Sequence, residues 1–307
     1  MSPSEGNRQP NIRLLADDII EKVINEAKAI LQEVGIRIRA QEGLQLLGDA
    51  GARIDWEKQL AFIPGNLVDV SLKSVPSSIR LYDRGGKENL VLGGDHVYFQ
   101  PTSSNIKVWD AEIENLRDPM VQDLVDFVRV VDALDHIAIQ TTNYYPVDIP
   151  GEIASLYRSF VCLKTSPKPL FASVMPTPRL NTDTLIKLAA AIRGSEEALE
   201  KQPLIICPVP TLSPLTWLAD NYYMLTQYAR KKIPSVISMA PAMGVSGPVS
   251  ILGTVTQQTA EFFSGVVISQ LARPGAPVMV GNYIELFDMR AGTTCMGSME
   301  NYMANMA

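Results

Sequence analysis

The 307-residue sequence is poor in the side chains that build disulfides and transition-metal sites. It has two histidines and three cysteines, and Cys162, Cys207 and Cys295 are far apart and form no C-x-x-C pair. An odd number of isolated thiols excludes a disulfide framework, and so few nitrogen and sulfur ligands argue against a bound metal. Free thiols are typical of a reducing compartment, so the sequence predicts a cytoplasmic protein without a metal site.

Long apolar stretches and blocks of like charge are also absent. No uninterrupted apolar run approaches the roughly 18 residues that a membrane span needs, and the polar start lacks the apolar core of a secretion signal. The 33 acidic and 27 basic residues give a net charge of −6, and no five like charges are adjacent. Neither a membrane nor a nucleic acid is an expected partner.

Several catalytic motifs are missing from the sequence. It contains no G-x-S-x-G, which disfavours a Ser-His-Asp triad, and no G-x-G-x-x-G follows a predicted strand, which disfavours a dinucleotide site. No lysine ends a predicted strand, so a Schiff-base mechanism is disfavoured. His96 and His136 lie beside the starts of predicted strands and are expected to be solvated or capping residues.

The predicted structure begins after a polar tail. Residues 1–11 have little to bury and are predicted to be disordered. In residues 17–34 apolar side chains recur every three or four positions up to Gly35, which predicts an amphipathic helix. A short helix at 42–49, a helical turn after Pro64 and β-like segments at 79–82 and 89–92 follow. Residues 12–96 are therefore predicted to form an N-terminal α+β cap.

Residues 97–307 alternate short β-branched runs with helical segments. The runs cover residues 97–102, 137–143, 169–175, 204–209, 234–239 and 278–282. From the second run onwards their starts are 32, 35, 30 and 44 residues apart, which is typical of β/α units with parallel strands. Prolines that follow Asp118, Ser213 and Gly247 mark predicted helix starts. We predict an α/β fold built from the first six or so units of a (β/α)8 TIM-type barrel.

The number of predicted strands falls short of a closed barrel, which needs eight strands and usually about 250 residues. Near the last residue, Ser298 and Glu300 open a further predicted helix, and no stop signal follows them. We therefore expect a barrel that is truncated at its C-terminus. The alternative is a six-stranded open α/β sheet.

Binding residues of a parallel barrel lie in the segments that leave the carboxyl ends of its strands. Here those segments are rich in hydroxyls, amides and aromatic rings. Tyr144, Tyr145 and Tyr283 are candidates for an aromatic cage, because ring faces attract quaternary ammonium groups. Trp217, Tyr222 and Tyr223 are better explained by packing of a helix on the sheet.

The densest pattern, residues 238–261, joins a strand, a Gly-rich loop and the start of a helix. The loop either binds a carboxylate through free backbone N–H groups at the helix N-terminus or simply forms the turn, and the sequence does not decide between the two. Gln257 and Glu261 are one turn apart on one face of this helix. A packed helix explains this pair as well as a binding site does.

Motifs spread over the chain resemble those of one known family. They include Ile63-Pro64 with Leu67-Val68, Cys207-Pro208 with Ser213-Pro-Leu215, Gly247-Pro-Val-Ser-Ile-Leu-Gly-Thr254 with Ala260-Glu261, Pro274-Gly-Ala276, and Phe287-Asp288 with Gly292. With these motifs the sequence is similar to the trimethylamine methyltransferase family, corrinoid-dependent enzymes that demethylate methylamines and betaines. The resemblance runs from about residue 12 to the end of the chain.

The resemblance implies a (β/α)8 barrel with an N-terminal cap. It also implies a methyltransferase that moves an N-methyl group from a quaternary or tertiary amine to cob(I)alamin. The corrinoid (cobalamin) would be carried by a separate protein, so no cofactor or metal is expected on this chain. The expected partners are a small methylated amine and the corrinoid carrier protein, and a homo-oligomer is left open.

The resemblance does not fix the substrate. Family members extend well beyond residue 307, and some of them contain pyrrolysine in that further part. Without pyrrolysine the expected substrate is a quaternary amine such as glycine betaine, which is our leading expectation, and with it the expected substrate is trimethylamine.

The chemistry that the resemblance implies suggests roles for several residues. Tyr144, Tyr145 and Phe287 would hold the cation beside Tyr283, while Ser246, Gly247 and Asn282 would orient polar groups. Glu261 would orient the loop or meet the ammonium group, and no catalytic residue is assigned. The alternative function is a non-catalytic small-molecule-binding protein or subunit, because a truncated barrel would not close around a substrate.

Overall fold

The computed structural model describes residues 13–174 and 178–307, so the predicted tail at 1–11 lies outside the described residues. The first part of the chain contains α1 (Asp17–Ala29), a π-helical turn (Ile30–Val34), β1 (Ile36–Ile38), α2 (Gln41–Asp49), β2 (Arg53–Asp55), β3 (Leu60–Phe62), α3 (Gly65–Ser74), β4 (Ile79–Tyr82) and β5 (Glu88–Leu92). The predicted helix at 17–34 is thus an α-helix whose last turn is π-helical. It ends at Gly35, whose φ of +80° favours glycine.

The rest of the chain alternates helices with short strands. Its elements are β6 (Val108–Asp110), β7 (Asn115–Arg117), α4 (Val121–Ala133), β8 (Gln140–Thr141), α5 (Gly151–Thr165), β9 (Leu170–Phe171), α6 (Pro178–Arg193), α7 (Glu196–Lys201), β10 (Ile205–Pro210), β11 (Thr216–Trp217), α8 (Ala219–Arg230), β12 (Ser235–Met239), β13 (Ala242–Met243), α9 (Ile251–Ala272), β14 (Val278–Asn282), β15 (Glu285–Asp288), β16 (Thr293–Cys295) and α10 (Met299–Met306). Ser298 caps α10 by accepting a hydrogen bond from the backbone of Asn301, which confirms the predicted helix start. Among the described helices, none is both long and apolar enough to cross a membrane.

Five strands form one parallel sheet in the order β14, β12, β10, β9, β8. Along the chain these strands come in the order β8, β9, β10, β12 and β14, and each lies next to the one before it. The sheet therefore grows in a single direction. A doubly wound sheet would reverse this order at a switch point, whereas a barrel wall would not. The α/β prediction with parallel strands is confirmed, and within the described residues this sheet does not close into a barrel.

The two faces of the sheet are covered by different parts of the chain. On β10, Ile205 and Cys207 pack in the main core together with the surrounding helices, while Ile206 points to the other face and packs against the hairpin of β4 and β5. Side chains on a strand alternate between faces, so each strand contributes to both layers. On the hairpin face, the apolar side chains near the strand starts give way to small ones such as Ser238 near the carboxyl ends. That face is therefore filled at one end and roomier at the other.

The N-terminal elements are fastened to the parallel-sheet region in two ways. Strand β11 pairs in parallel with β1, placing Arg37 opposite Thr216 and Ile38 opposite Trp217, and so extends the sheet of β1, β3 and β2. Helices α1 and α3 pack on α9, which also contacts α8 and β12. At that junction the indole of the buried Trp217 donates a hydrogen bond to Ser264 Oγ over 2.9 Å.

Two predicted helix starts were wrong. Ser213 and Pro214 are joined by a cis peptide bond in a loop that leads into β11, and α8 begins only at Ala219. The reason is tertiary, because pairing of β11 with β1 keeps this segment extended. Likewise α9 begins at Ile251 rather than beside Gly247, since residues 242–250 form a loop closed by its own hydrogen bonds.

The predicted strand at 97–102 was also wrong. It forms a single bridge, between Phe99 and Ile137, which places it beside the start of the β8 segment. Val97 and Phe99 are 62% and 63% exposed, so this segment lies at the margin of the sheet with little to hold it in a regular ladder.

Candidate functional site

Two adjoining cavities lie on the hairpin face of the parallel sheet. The lower cavity has a volume of about 460 Å³ and lies over the middle of the strands, where its walls include Ile206, Val236 and Met279. The upper cavity has a volume of about 270 Å³ and lies at the carboxyl ends. Phe171 and Tyr283 line both cavities, so the two share a wall. Carboxyl ends of parallel strands are where binding sites of such folds occur, which makes the pair the candidate site.

The wall of the lower cavity combines aromatic rings with amides. Tyr98, Phe171 and Tyr283 provide rings, and Gln100 and Asn282 provide amides. Tyr283 is 42% exposed at the rim, and partial burial raises the pKa of its phenol, so the hydroxyl stays protonated at neutral pH. His96 also lines this cavity and is its one ionisable side chain besides the two tyrosines among the described residues. Aromatic rings beside amides suit a cationic methylated amine, because ring faces attract its charge.

The wall of the upper cavity is lined by small hydroxyl side chains and prolines: Ser103, Ser173, Ser238, Pro208 and Pro210. Tyr283 is the one ionisable side chain among the described residues that line it. This cavity offers hydrogen-bonding groups without a strong acid or base.

Asn282 is held in place by helix α9. Its side-chain oxygen accepts a hydrogen bond from Gln258 Nε2 over 2.8 Å, and the same Gln258 nitrogen donates to the carbonyl of Met239 over 3.3 Å. Because its oxygen faces α9, the NH2 group of Asn282 is the part that is left to point at a ligand. Gln258 thereby ties together the carboxyl ends of β12 and β14.

The Gly-rich loop that carries Ser246 and Gly247 satisfies its own backbone. The N–H groups of residues 244–247 all donate to carbonyls within the loop, and Ser246 Oγ accepts from the N–H of Ala242 over 2.9 Å. A β-carbon at Gly247 would come within 3.1 Å of Thr254 Oγ1, so this glycine allows a close contact with α9. Of the two interpretations that the sequence left open, this geometry favours the turn.

Glu261 is a fully buried carboxylate surrounded by four donors. Its Oε2 accepts from Thr211 Oγ1 at 3.1 Å and from Ser213 Oγ at 2.7 Å, and its Oε1 accepts from the Leu215 N–H and from Gln257 Nε2, both at 3.0 Å. Gln257 also donates to the carbonyl of Ser246 over 2.9 Å. Glu261 thus anchors the loop after β10, and Gln257 connects it to the Gly-rich loop.

The two tyrosines that follow β8 already have packing partners. The guanidinium of Arg158 lies 4.9 Å from the ring centre of Tyr145, and the Tyr145 hydroxyl donates to the carbonyl of Gly151 over 3.3 Å. Tyr144 meets Phe127 edge-on at 5.8 Å and packs on the main core. Neither tyrosine lines the two cavities, and one face of Tyr145 already meets a cation.

Phe287 lies on the hairpin of β15 and β16, opposite Thr294, and is half-buried. It does not line either cavity. The structure therefore brings Asn282 and Tyr283 into the candidate site, and groups Ser246, Gly247 and Glu261 around α9. It places Tyr144, Tyr145 and Phe287 elsewhere on the same edge of the sheet.

A sequence model of trimethylamine methyltransferases matches residues 2–307, which is almost the whole chain. The chain belongs to the trimethylamine methyltransferase family. Its relatives include the trimethylamine methyltransferase of Desulfitobacterium hafniense strain DCB-2, 28% identical over 291 residues, which are 94% of this chain and 58% of the relative. The glycine betaine methyltransferase of strain Y51 is 26% identical over 96% of this chain and 61% of its own length.

A third relative in the trimethylamine methyltransferase family is the L-carnitine:corrinoid methyltransferase of Eubacterium limosum. It is 26% identical over 93% of this chain and 59% of its own length. The chain therefore spans about three fifths of the length of these relatives. Their names cover a plain methylamine as well as two amines that carry a carboxylate.

Sequence reasoning missed several residues of this family member's candidate site. Ser103 and Ser173 are ordinary residues in the sequence, and Ser238 was noted only as the first residue of the Gly-rich pattern. The fold brings the three together. Arg158 had a detectable signal, because it lies on α5 at helical spacing from the buried Ala154 and Cys162. A charge on the buried face of a helix is unusual and marks a position worth testing. The predicted strand at 169–175 ends at a residue that lies outside the described residues.

Potential metal-ligating side chains are scattered over the described ranges of the chain. No group of three or more histidine, cysteine, aspartate or glutamate side chains with metal-binding geometry occurs there. Cys162 and Cys207 are buried, and burial raises the pKa of each thiol to about 12, so both are neutral at physiological pH.

Proposed function

We propose that this chain forms the amine-binding part of a methyltransferase that moves an N-methyl group from a quaternary or tertiary amine to the corrinoid of a separate carrier protein. Family membership over residues 2–307 supports this proposal. The observation that carries it is the cavity lined by Tyr98, Phe171 and Tyr283, where aromatic faces meet the amides of Gln100 and Asn282. Aromatic faces attract a methylated ammonium group, and amides orient it.

The lining of the upper cavity favours a quaternary amine as the substrate. When a methyl group leaves a quaternary nitrogen, the electron pair of the C–N bond stays on nitrogen and the product is a neutral tertiary amine. No proton has to be supplied, which suits walls of serine hydroxyls and a protonated Tyr283. A tertiary amine leaves as a neutral product only when it reacts as its protonated ammonium ion, so its site has to hold the N–H proton, for which these walls provide no strong acceptor such as a carboxylate. Glycine betaine is therefore our proposed substrate.

The methyl acceptor would be the reduced corrinoid of the carrier, whose cobalt supplies the nucleophile. The task that remains for this chain is to hold the ammonium group, align its methyl group with the acceptor and exclude water. In this proposal Tyr283 and Asn282 contact the substrate. Ser246, Gly247 and Glu261 shape the loops around it, while Tyr144, Tyr145 and Phe287 lie outside the cavity lining and would act on the substrate only indirectly.

We also propose that the parallel sheet is part of a (β/α)8 barrel wall, with residues 12–96 as its cap and residues 97–307 as about six of its units. The one-directional strand order supports a barrel. In that arrangement the carrier would approach the carboxyl edge of the sheet, where the upper cavity lies.

The test mixes the purified protein with a reduced corrinoid carrier and either glycine betaine or trimethylamine carrying deuterated methyl groups. Mass spectrometry then measures the demethylated amine, while cobalt absorbance follows the acceptor. We expect dimethylglycine from glycine betaine. Dimethylamine alone would replace the proposed substrate by trimethylamine. Binding of either amine without any demethylation would overturn the enzymatic proposal in favour of a binding protein.

A further inference from the structure

Arg158 is a buried cation that lacks a carboxylate partner among the described residues. It is 1% exposed on α5, and the ionisable groups that influence it are Cys162 and Tyr145. Its Nη2 donates to the carbonyl of Thr142 and to Ser104 Oγ, while its Nε has no hydrogen-bond partner in the described part of the chain. Burial lowers the pKa of the guanidinium to about 10, which leaves it charged at neutral pH.

Burying a charge opposite neutral oxygen atoms alone is unfavourable, because the lost hydration is only partly replaced. Arg193 shows how the chain treats an arginine with a structural task. All three of its guanidinium nitrogens donate to backbone carbonyls, among them those of Gln202 and Asp83, at the hairpin of β4 and β5. Arg158 keeps an unused donor instead, and it lies at the carboxyl edge of the sheet. That position points to an anionic group as its missing counterpart.

Arg158 does not line the upper cavity, but both of its hydrogen-bond acceptors are connected to residues that do. One of its acceptors, Ser104, adjoins Ser103, which lines the cavity. The other, Thr142, accepts a hydrogen bond through Oγ1 from the N–H of Ser173, which also lines the cavity, over 3.4 Å. Tyr283, the ring that we assign to the ammonium group, is also part of the cavity lining. The cavity thus has an aromatic element and a serine wall that is backed by a positive charge.

We propose that Arg158 makes this cavity selective for amines that carry a carboxylate, because its uncompensated positive charge attracts the anionic end of a zwitterion and repels a substrate that is only cationic. The inference rests on the proposed function, since it assumes that the cavity takes a methylated amine. Arg158 acts through Ser104, Thr142 and Ser173, and is therefore a positioning residue. Because Arg158 is 1% exposed, water screens its charge less than it screens the charge of a surface arginine.

The test compares two ligands that share the methylated ammonium group, glycine betaine and tetramethylammonium, by calorimetric titration of the purified protein. We expect Arg158→Gln to lower the preference for glycine betaine over tetramethylammonium by about tenfold. Arg158→Lys retains the charge and is expected to keep the preference within about threefold of the parent. Arg193→Gln is the matched control, since it removes an arginine that donates to carbonyls far from the cavity and should leave the preference unchanged.

The ratio of the two affinities separates charge from structural damage. If Arg158→Gln weakens both ligands equally, Arg158 has a structural role only and this inference is overturned, while the proposed function stands. If the parent protein binds neither ligand, the proposed function itself fails and takes the inference with it. If Arg158→Lys loses the preference as fully as Arg158→Gln, the geometry of the guanidinium matters rather than its charge, which also contradicts the inference.

Discussion

The buried carboxylate of Glu261 is expected to stabilise the protein by holding the loop between β10 and α8. Replacing it with alanine would leave the donors of Thr211, Ser213, Leu215 and Gln257 without their acceptor. A hydrogen bond to a charged acceptor contributes roughly 1.5–3 kcal/mol, and the members of such a network are not additive. We therefore expect Glu261→Ala to lower the free energy of unfolding by about 3–5 kcal/mol.

Glu261→Gln should be milder, because the amide retains one acceptor oxygen but places an NH2 group against donors. We expect it to destabilise the fold by roughly 2 kcal/mol. Urea unfolding followed by circular dichroism measures both variants, and the alanine variant should lower the midpoint by roughly 1 M or more. Glu21→Ala, which removes an exposed carboxylate from α1, is the matched control and should change stability by less than about 0.5 kcal/mol.

Hydrogen exchange gives a local measure of the same effect, since the Leu215 N–H should exchange faster once its acceptor is removed. A loss of stability below about 1 kcal/mol in Glu261→Ala would refute the anchoring role. If that variant were stable but no longer bound glycine betaine, Glu261 would instead meet the ammonium group, the second role that the sequence suggested.

Three further predictions concern binding, thiol chemistry and packing. Tyr283→Ala should weaken binding of tetramethylammonium by about three- to thirtyfold in calorimetry, whereas Tyr283→Phe should retain most of the affinity, since the ring face attracts the cation. In the native protein a thiol reagent should modify Cys295 alone among the three cysteines, because the other two thiols are buried and neutral, and all three should react after denaturation. Gly265→Ala should destabilise the protein by about 1–3 kcal/mol in urea unfolding, because the added β-carbon would come within 2.8 Å of the side chain of Ile237. A β-carbon at Gly151 would have no neighbour within 4 Å, so Gly151→Ala should leave the stability of the protein unchanged or raise it slightly.

Strands that are buried on both faces were the part of the fold that the sequence predicted best. The runs at 204–209 and 234–239 correspond closely to β10 and β12, since both layers of such a strand must be largely apolar and the whole run shows it. The run at 97–102 has a similar composition but lies at the sheet margin, where Phe99 is 63% exposed. The composition of a run shows how apolar it is, but it does not show how many neighbouring strands the run will pair with.

Helix starts were less predictable where distant segments compete with local signals. Proline after Ser213 is a sound local signal, yet Thr216 lies opposite Arg37, which is 179 positions earlier in the chain. That pairing and the hydrogen bond from the Leu215 N–H to Glu261 keep the segment out of the helix. Neither contact is visible in a window of neighbouring residues, so propensity alone gives the wrong boundary.

Within the candidate site, Asn282 and Tyr283 were predictable, because Asn282 ends a predicted strand and Tyr283 comes directly after it. Residues at the end of a parallel strand lie at the carboxyl edge of the sheet. The role of an aromatic ring was not predictable in the same way. Tyr145 also follows a strand and has the same chemistry as Tyr283, but Arg158 occupies one of its faces. Whether a ring is available for a ligand depends on what else packs against it, and that is decided by tertiary structure.

Helix α9 links the loops that follow three successive strands of the parallel sheet. Glu261 holds the loop after β10, Gln257 holds the carbonyl of Ser246 after β12, and Gln258 joins the carbonyl of Met239 to Asn282 after β14. Because these three side chains lie within about one and a half turns of one helix, a rotation or shift of α9 would move all three loops together. The candidate site is therefore built as a unit by this helix, and side chains of α9 that are not part of the cavity lining still determine its shape.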